Sequence, residues 1–201
     1  MNAKYWDGPP IEAWEPWTSQ EAAARLAGVS APWCVVGGWA LDLWLGEQTR
    51  PHEDLEIAIS RDDLARVRRA LGLPFHAVGD GEVRLLADGE ATPEHRHQNW
   101  VCEEGRWRLD VMLEPGDAQT WIYRRDPQFR ASRAWMTGTS AEGIAYLRPQ
   151  GVLFYKARAP RPKDEADLAA ALPKLEPEAR AWLAEAIARF EPASPWRARF
   201  D

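Results

Sequence analysis

The chain has 201 residues, of which 45% are hydrophobic, and a formal net charge of −6. This length is enough to bury a sizeable core without disulfides, and the acidic balance argues against a large basic face for duplex DNA. No apolar run approaches the roughly 18 residues of a membrane helix, and the N-terminus lacks the apolar core of a signal peptide. We therefore expect a globular protein that neither spans a membrane nor is exported.

Two cysteines occur, Cys34 and Cys102, and each lies in an apolar run typical of a strand. Such positions favour two buried free thiols over a disulfide or a metal site. A reducing, cytoplasmic setting is the corresponding prediction.

The first third of the chain alternates prolines, helix signals and short apolar runs. Residues 1–17 combine three prolines with three tryptophans and predict an extended arm. Thr18 and Glu21 form the spacing of a capping box, which predicts a helix to about Ala27. Four apolar residues, 33–36, predict a buried strand that ends at Gly37-Gly38. A helix over 39–45, stopped by Gly46, and a strand over 54–59 follow.

From Ser60 onward the sequence predicts a helix, two hairpins and then further helices. Ser60 with Asp63 predicts the cap of a helix to about Leu71. Residues 74–87 and 97–114 read as two hairpins, and alternation in the second leaves Asp110 opposite an apolar face. After a short strand over 144–147, helices are expected from Pro149 to about 158, over 163–172 and over 178–190. The pattern predicts an α+β core, residues 1–148, followed by a small C-terminal helical lobe, residues 149–201.

Asp54 and Glu56 are the most informative pair in the predicted strands. Residues i and i+2 of a strand share a face, so two carboxylates lie together and repel unless a cation separates them. Oxygen ligands favour Mg²⁺ or Mn²⁺, and Asp110 on a neighbouring strand would complete the site. The competing interpretation is the exposed polar face of an antiparallel sheet. The preceding Gly37-Gly38 favours the metal site, because small residues at a helix start let a phosphate approach the backbone.

His95 and His97 could imitate a metal-binding pair. No third ligand of the kind that zinc prefers lies near them in the sequence, so the pattern does not favour a zinc site.

Residues 35–59, VVGGWALDLWLGEQTRPHEDLEIAI, resemble the signature of the nucleotidyltransferase superfamily that includes DNA polymerase beta. Within this superfamily the stretch is most similar to the aminoglycoside 2''-nucleotidyltransferase group, which has the same Gly-Gly-Trp-Ala, Leu-Gly, Thr-Arg and histidine elements. Glu56 replaces an aspartate of that group. The resemblance implies a mixed sheet core flanked by helices. It also implies that Asp54, Glu56 and Asp110 bind two metal ions, and that Gly37 and Gly38 hold the phosphates of a nucleoside triphosphate through backbone amides.

Four cationic residues are candidates for contacts with this nucleotide. Arg50 and His52 flank the acidic pair and would contact phosphate or acceptor, or else would only offset the acidic charge. Lys156 and Lys163 lie on the predicted lobe helices, where they would hold the triphosphate, or would form salt bridges with Asp164 and Asp167.

The sequence therefore predicts a Mg²⁺- or Mn²⁺-dependent nucleotidyltransferase that moves a nucleoside monophosphate, AMP from ATP, to a hydroxyl of a small molecule such as an aminoglycoside. Asp110 would also accept the hydroxyl proton. Two alternatives remain open at this point. One is a toxin-type enzyme that modifies tRNA or a protein, and the other is a regulatory protein that binds nucleotide without turnover. The oligomeric state is not predicted.

Overall fold

The structure, a computed structural model, describes residues 8–200. Its strands are β1 (Trp33–Val36), β2 (Glu56–Ser60), β3 (Phe75–Gly79), β4 (Glu82–Leu85), β5 (Gln98–Glu103), β6 (Arg106–Glu114), β7 (Thr120–Ile122), β8 (Arg130–Ser132), β9 (Thr137–Thr139) and β10 (Ala145–Leu147). Its α-helices are α1 (Ser19–Leu26), α2 (Gly37–Leu45), α3 (Leu64–Leu71), α4 (Arg133–Met136), α5 (Pro149–Lys156), α6 (Pro162–Ala171) and α7 (Pro177–Phe190). Short 3₁₀ helices occupy Arg61–Asp63, Leu172–Lys174 and Pro195–Arg199.

A mixed sheet forms the centre of the fold. Its strand order among the described residues is β4-β3-β5-β6-β2-β1-β10-β9, and β7 pairs with β8 separately. The pairs β2–β6 and β1–β10 are parallel, whereas the other neighbours in the main sheet are antiparallel. The predicted α+β class with a mixed sheet and C-terminal helices is confirmed.

The strongest local signals were predicted correctly. Thr18 Oγ1 accepts a hydrogen bond from the Glu21 amide at 3.1 Å, and Glu21 Oε2 accepts one from the Thr18 amide at 2.7 Å, which completes the capping box of α1. In β6, Trp107, Leu109 and Val111 are fully buried, as the alternation predicts. Both hairpins are also present, with Glu104 and Gly105 at positive φ in the turn of the second.

Three predicted boundaries are wrong. Helix α2 begins at Gly37 and not at Trp39, and β2 begins at Glu56, so that Asp54 lies in the loop before the strand. The predicted cap at Ser60 and Asp63 is also wrong, because neither side chain makes a capping hydrogen bond and a 3₁₀ turn precedes α3. Asp63 pairs instead with Arg66.

The N-terminal arm is described from residue 8, so the first seven of its predicted residues lie outside the described part. The remainder runs beside β6: the Glu15 amide donates to the Trp107 carbonyl and the Trp17 amide to the Arg108 carbonyl, each at 3.0 Å. Cys34 is buried, Cys102 is half-buried, and both are free thiols. The predicted burial is therefore confirmed fully for Cys34 only.

Helices α5 and α7 pack through aromatic side chains against the segment that joins β7 to β8. Phe129, on the loop before β8, stacks on Trp182 of α7 at 5.3 Å between ring centroids, and Tyr123 lies 4.5 Å from Phe154 of α5. A division of the chain after residue 148 stays a prediction. Among the described residues, no helix has the length and apolar character needed to cross a membrane.

Candidate active site

Parallel pairing of β2 with β6 brings two of the predicted acids together. Glu56 lies directly opposite Asp110 in the register of the two strands, and Asp54 precedes β2 by two residues. One carboxylate oxygen from each of Asp54, Glu56 and Asp110 lies within 4.8 Å of the others. We call these three residues the acidic triad.

The two carboxylate oxygens of Asp110 differ in their hydrogen-bond partners. Oδ2 accepts hydrogen bonds from Gln98 Nε2 at 2.5 Å and from Trp100 Nε1 at 3.3 Å, both donated from the neighbouring strand β5. Oδ1 is buried and has no hydrogen-bond partner among the described residues. A buried carboxylate oxygen without a partner carries a large desolvation cost, which a bound proton or cation would reduce.

Burial and mutual repulsion raise the proton affinity of the triad. Burial, together with the negative charge of Asp54, raises the pKa of Glu56 to about 7. Burial and the charge of Glu56 raise the pKa of Asp110 well above its usual range, against the hydrogen bond from Gln98. The fold thus maintains like charges at short distance, an arrangement that favours a bound cation.

The donor set fits a hard divalent cation. All three candidate ligands are carboxylates, which is the chemistry that Mg²⁺ and Mn²⁺ prefer, and Asp110, whose Oδ1 has no hydrogen-bond partner among the described residues, belongs to this cluster.

Gly37 lies against the triad and must be small. Its φ is +66°, and an added Cβ would lie 1.9 Å from Glu56 Oε2. A Cβ on Gly38 would lie 2.5 Å from both Arg50 Nη2 and His52 Cε1. The space over Gly38 thus holds two side chains of the 46–55 loop, which gives this glycine a packing role. Its predicted phosphate contact stays a prediction.

Arg50 and His52 are paired with acids outside the triad. Arg50 Nε and Nη2 donate to Asp167 on α6 at 2.8 and 3.0 Å. His52 Nε2 lies 2.5 Å from Asp42 Oδ2 on α2, and the other Asp42 oxygen accepts from the Thr49 hydroxyl at 2.7 Å. These contacts fasten the loop that carries Asp54 to α2 on one side and to α6 on the other.

The two lysines occupy different surroundings. Lys156 Nζ lies 2.6 Å from Asp164 and 2.9 Å from Asp167, and its side chain is only 11% exposed. Lys156 thus forms the predicted salt bridges with Asp164 and Asp167, and its contact with a nucleotide stays a prediction. Lys163 pairs with the exposed Glu53 at 3.0 Å and not with an acid of its own helix.

A cavity of about 310 Å³ opens beside Gly37 and Glu56, and we call it the triad cavity. Its walls include β2 and β6 residues on one side and the C-terminal end of α5 on the other. The cationic side chains in its lining are Arg124, Arg125, Lys156, Arg158 and Arg161. Of these, sequence reasoning identified only Lys156.

The missed arginines have a weak sequence signal. Arg124 and Arg125 follow β7 in an irregular stretch, and adjacent cations in such a stretch are usually solvated.

His97 also lines the cavity and interacts with Arg124, whereas His95 lies 3.0 Å from Asp80. Both histidines precede β5 and do not lie on a strand face.

Comparison with known proteins identifies a family and similar folds. Residues 20–171 match the family model described as aminoglycoside-2''-adenylyltransferase. None of the curated proteins compared with the chain is a match. The solution structure of the antibiotic-resistance factor ANT(2'')-Ia is similar with a TM-score of 0.54 and 17% identity, covering 87% of this chain and 91% of that chain. A crystal structure of ANT(2'')-Ia in complex with adenylyl-2''-tobramycin is similar with a TM-score of 0.56 and 16% identity, and the match covers 85% of this chain and 95% of that chain. At these identities the two structures show a shared fold, and the family match confirms the resemblance seen in residues 35–59.

Proposed function

The chain belongs to the aminoglycoside-2''-adenylyltransferase family and is a nucleotidyltransferase, and from this premise we propose that it transfers AMP from ATP to a hydroxyl of an aminoglycoside-like small molecule. The observation that carries the proposal is the convergence of Asp54, Glu56 and Asp110, of which Glu56 lines a cavity rich in cations together with Gly37. The adenylyl group and the acceptor class are supported by the family description and by the adenylyl-2''-tobramycin bound to ANT(2'')-Ia.

In this proposal the triad holds Mg²⁺ or Mn²⁺. The metal supplies positive charge to the reacting phosphate oxygens when it is bound. Asp110 is the residue proposed to accept the proton of the acceptor hydroxyl, because its Oδ1 has no hydrogen-bond partner among the described residues. Gln98 and Trp100 hold the other oxygen and so orient the carboxylate.

Gly37 contributes by its small size. It lets the Glu56 carboxylate lie against the start of α2, where backbone amides are available to a phosphate. Gly38 allows Arg50 and His52 to pack closely, and these residues fix the loop that ends at Asp54.

The test is a transfer assay with a mass readout. Purified protein is incubated with each nucleoside triphosphate, Mg²⁺ and, separately, aminoglycosides, lincosamides and tRNA, and each acceptor is examined for the mass of one added nucleoside monophosphate. We expect addition of AMP to an aminoglycoside-like acceptor by the wild type and none by Asp54→Asn, Glu56→Gln or Asp110→Asn.

The matched control is Glu53→Gln, which changes an exposed acid adjacent to the triad and should retain transfer. Transfer to tRNA alone would replace the small-molecule acceptor by the toxin-type function. Equal activity of Asp54→Asn and the wild type would overturn the assignment of the triad.

A further inference from the structure

The cations of the triad cavity differ in whether they have a counter-ion. Arg125 lies 3.4 Å from Glu191, and Lys156 and Arg161 pair with Asp164 at 2.6 and 2.9 Å. Arg124 and Arg158 form no ion pair with any carboxylate in the described part of the chain. Among residues 8–200, the guanidinium groups of Arg124 and Arg158 are thus the cations of this cavity that have no carboxylate counter-ion.

Arg124 is the more informative of the two because it is half-buried. Its side chain contacts the ring of His97, with Arg124 Nη1 3.3 Å from Nδ1. Burial and nearby arginines lower the pKa of His97 to about 4, so the ring is neutral at physiological pH and supplies no negative charge to Arg124. Burial also lowers the pKa of Arg124 itself.

A half-buried guanidinium without a negative partner is costly, and an anion bound next to it would remove most of that cost. The guanidinium group presents a planar fork of donors that matches two phosphate oxygens at once. The exposed Arg158 lines the same cavity and adds a second positive charge.

We propose that Arg124, assisted by Arg158, binds the phosphate chain of the nucleoside triphosphate within the triad cavity. This assignment rests on the proposed function, and it moves the main phosphate contact from Lys156 and Lys163, which already have counter-ions, to an arginine that has none. Pyrophosphate, the product that leaves, carries the same charges and would be held by the same side chain.

The positive charge of Arg124 and Arg158 also affects which of the two substrates, nucleotide or acceptor molecule, the triad cavity favours. A cationic acceptor would be repelled by Arg124 and Arg158, whereas a polyphosphate would be attracted by them. The cavity is therefore assigned to the nucleotide, and the acceptor would approach the triad from outside it.

Calorimetric titration of the full-length protein in Mg²⁺ tests the assignment with three ligands: ATP, inorganic tripolyphosphate and adenosine. For Arg124→Gln we expect affinity for ATP and tripolyphosphate to fall about 10- to 100-fold, as for loss of a charge-assisted hydrogen-bonding group, with adenosine unaffected. Arg124→Lys should recover part of the loss, and Arg158→Gln should show a smaller loss. The control is Arg69→Gln, which removes an exposed arginine of α3 and should bind all three ligands normally.

Each contrary outcome has a definite meaning. An equal loss of adenosine and ATP binding would place Arg124 against the base and overturn the phosphate assignment. Unchanged tripolyphosphate affinity in Arg124→Gln, or no polyphosphate binding by the wild type, would also overturn it. If Arg124→Gln does not fold, Arg124→Lys and Arg158→Gln decide the question by the same comparison. Polyphosphate binding through Arg124 without any nucleotide transfer would instead contradict the proposed function and leave the phosphate site standing.

Discussion

The guanidinium of Arg50 and the carboxylate of Asp167 form a two-pronged ion pair, with N···O distances of 2.8 and 3.0 Å across 117 positions of sequence. The side chain of Asp167 is only 2% exposed, and its Oδ2 also forms a salt bridge with Lys156 Nζ at 2.9 Å. The loop before β2 and helix α5 are thus held by one carboxylate on α6.

Replacing Asp167 by asparagine should destabilise the fold strongly. The change leaves Arg50 without its only carboxylate partner in the described residues and removes one of two partners of Lys156, and breaking a buried pair typically costs about 3–5 kcal/mol. We expect the free energy of unfolding in urea to fall by about 3 kcal/mol. Asp62→Asn, at an exposed position, is the control that should match the wild type. A wild-type unfolding curve for Asp167→Asn would show that the pair contributes nothing.

Gly37→Ala should slow transfer about 100-fold, whereas Gly46→Ala should not. Both glycines have positive φ, so each substitution costs about 1–2 kcal/mol in backbone strain. Only at Gly37 would the new Cβ collide with Glu56, whose carboxylate must then move by an ångström or more. Such a displacement can lower the rate about 100-fold. Turnover measurements on both variants, with urea unfolding beside them, separate strain from misplacement, and similar turnover in the two would contradict this explanation.

Glu56→Gln should stabilise the protein at alkaline pH while removing activity. Because the pKa of Glu56 is raised to about 7 in the folded chain, the folded state binds more protons than the unfolded state between about pH 4 and 7. The contribution of Glu56 to stability is therefore complete below that window and is lost as the pH rises through it.

Glutamine does not ionise, so the variant should match the wild type near pH 4 and exceed it by about 3 kcal/mol at pH 8. Urea unfolding in chelator across this range measures the difference, with Glu178→Gln on the exposed start of α7 as control. A variant that is less stable than the wild type at pH 8 would refute the assigned direction.

Gln98→Leu should slow catalysis more than it weakens nucleotide binding. The amide of Gln98 holds Asp110 Oδ2 at 2.5 Å, and loss of such a supporting hydrogen bond typically costs 10- to 100-fold in activity. We expect kcat to fall by about that factor with little change in KM for ATP. Trp100→Phe, which removes the longer 3.3 Å hydrogen bond, should have a smaller effect. Gln128→Leu at an exposed site serves as control, and a rise in KM alone would show that Gln98 does not position Asp110.

Local signals predicted those parts of the fold that local forces determine. The capping box of α1 and the apolar alternation of β6 act over a few residues, and both were correct. The grouping of Asp54, Glu56 and Asp110 was also predictable, because the strand pattern places Glu56 and Asp110 on strands, the family resemblance indicates that these strands are neighbours, and Asp54 lies only two residues before Glu56.

Long-range pairing was not predictable from one sequence. The sequence offered no way to choose Asp167 over the nearby triad as the partner of Arg50, or Glu53 over an acid of α6 as the partner of Lys163. Arg124 was missed because the chain between β6 and β8 has no clear periodicity, and its half-buried position is imposed by packing against distant elements.

The parallel register of β2 and β6 has a consequence for variation in the core. Glu56 and Asp110 are level with one another because Ile57 and Ile59 are buried in step with Val111 and Leu113, on alternate positions of the same strands. A slip of one residue would put Val111 where Asp110 now lies. Hydrophobic contacts on the far face of the sheet therefore determine how Glu56 and Asp110 are aligned. A core substitution that shifts this register would abolish activity although all three acids were still present.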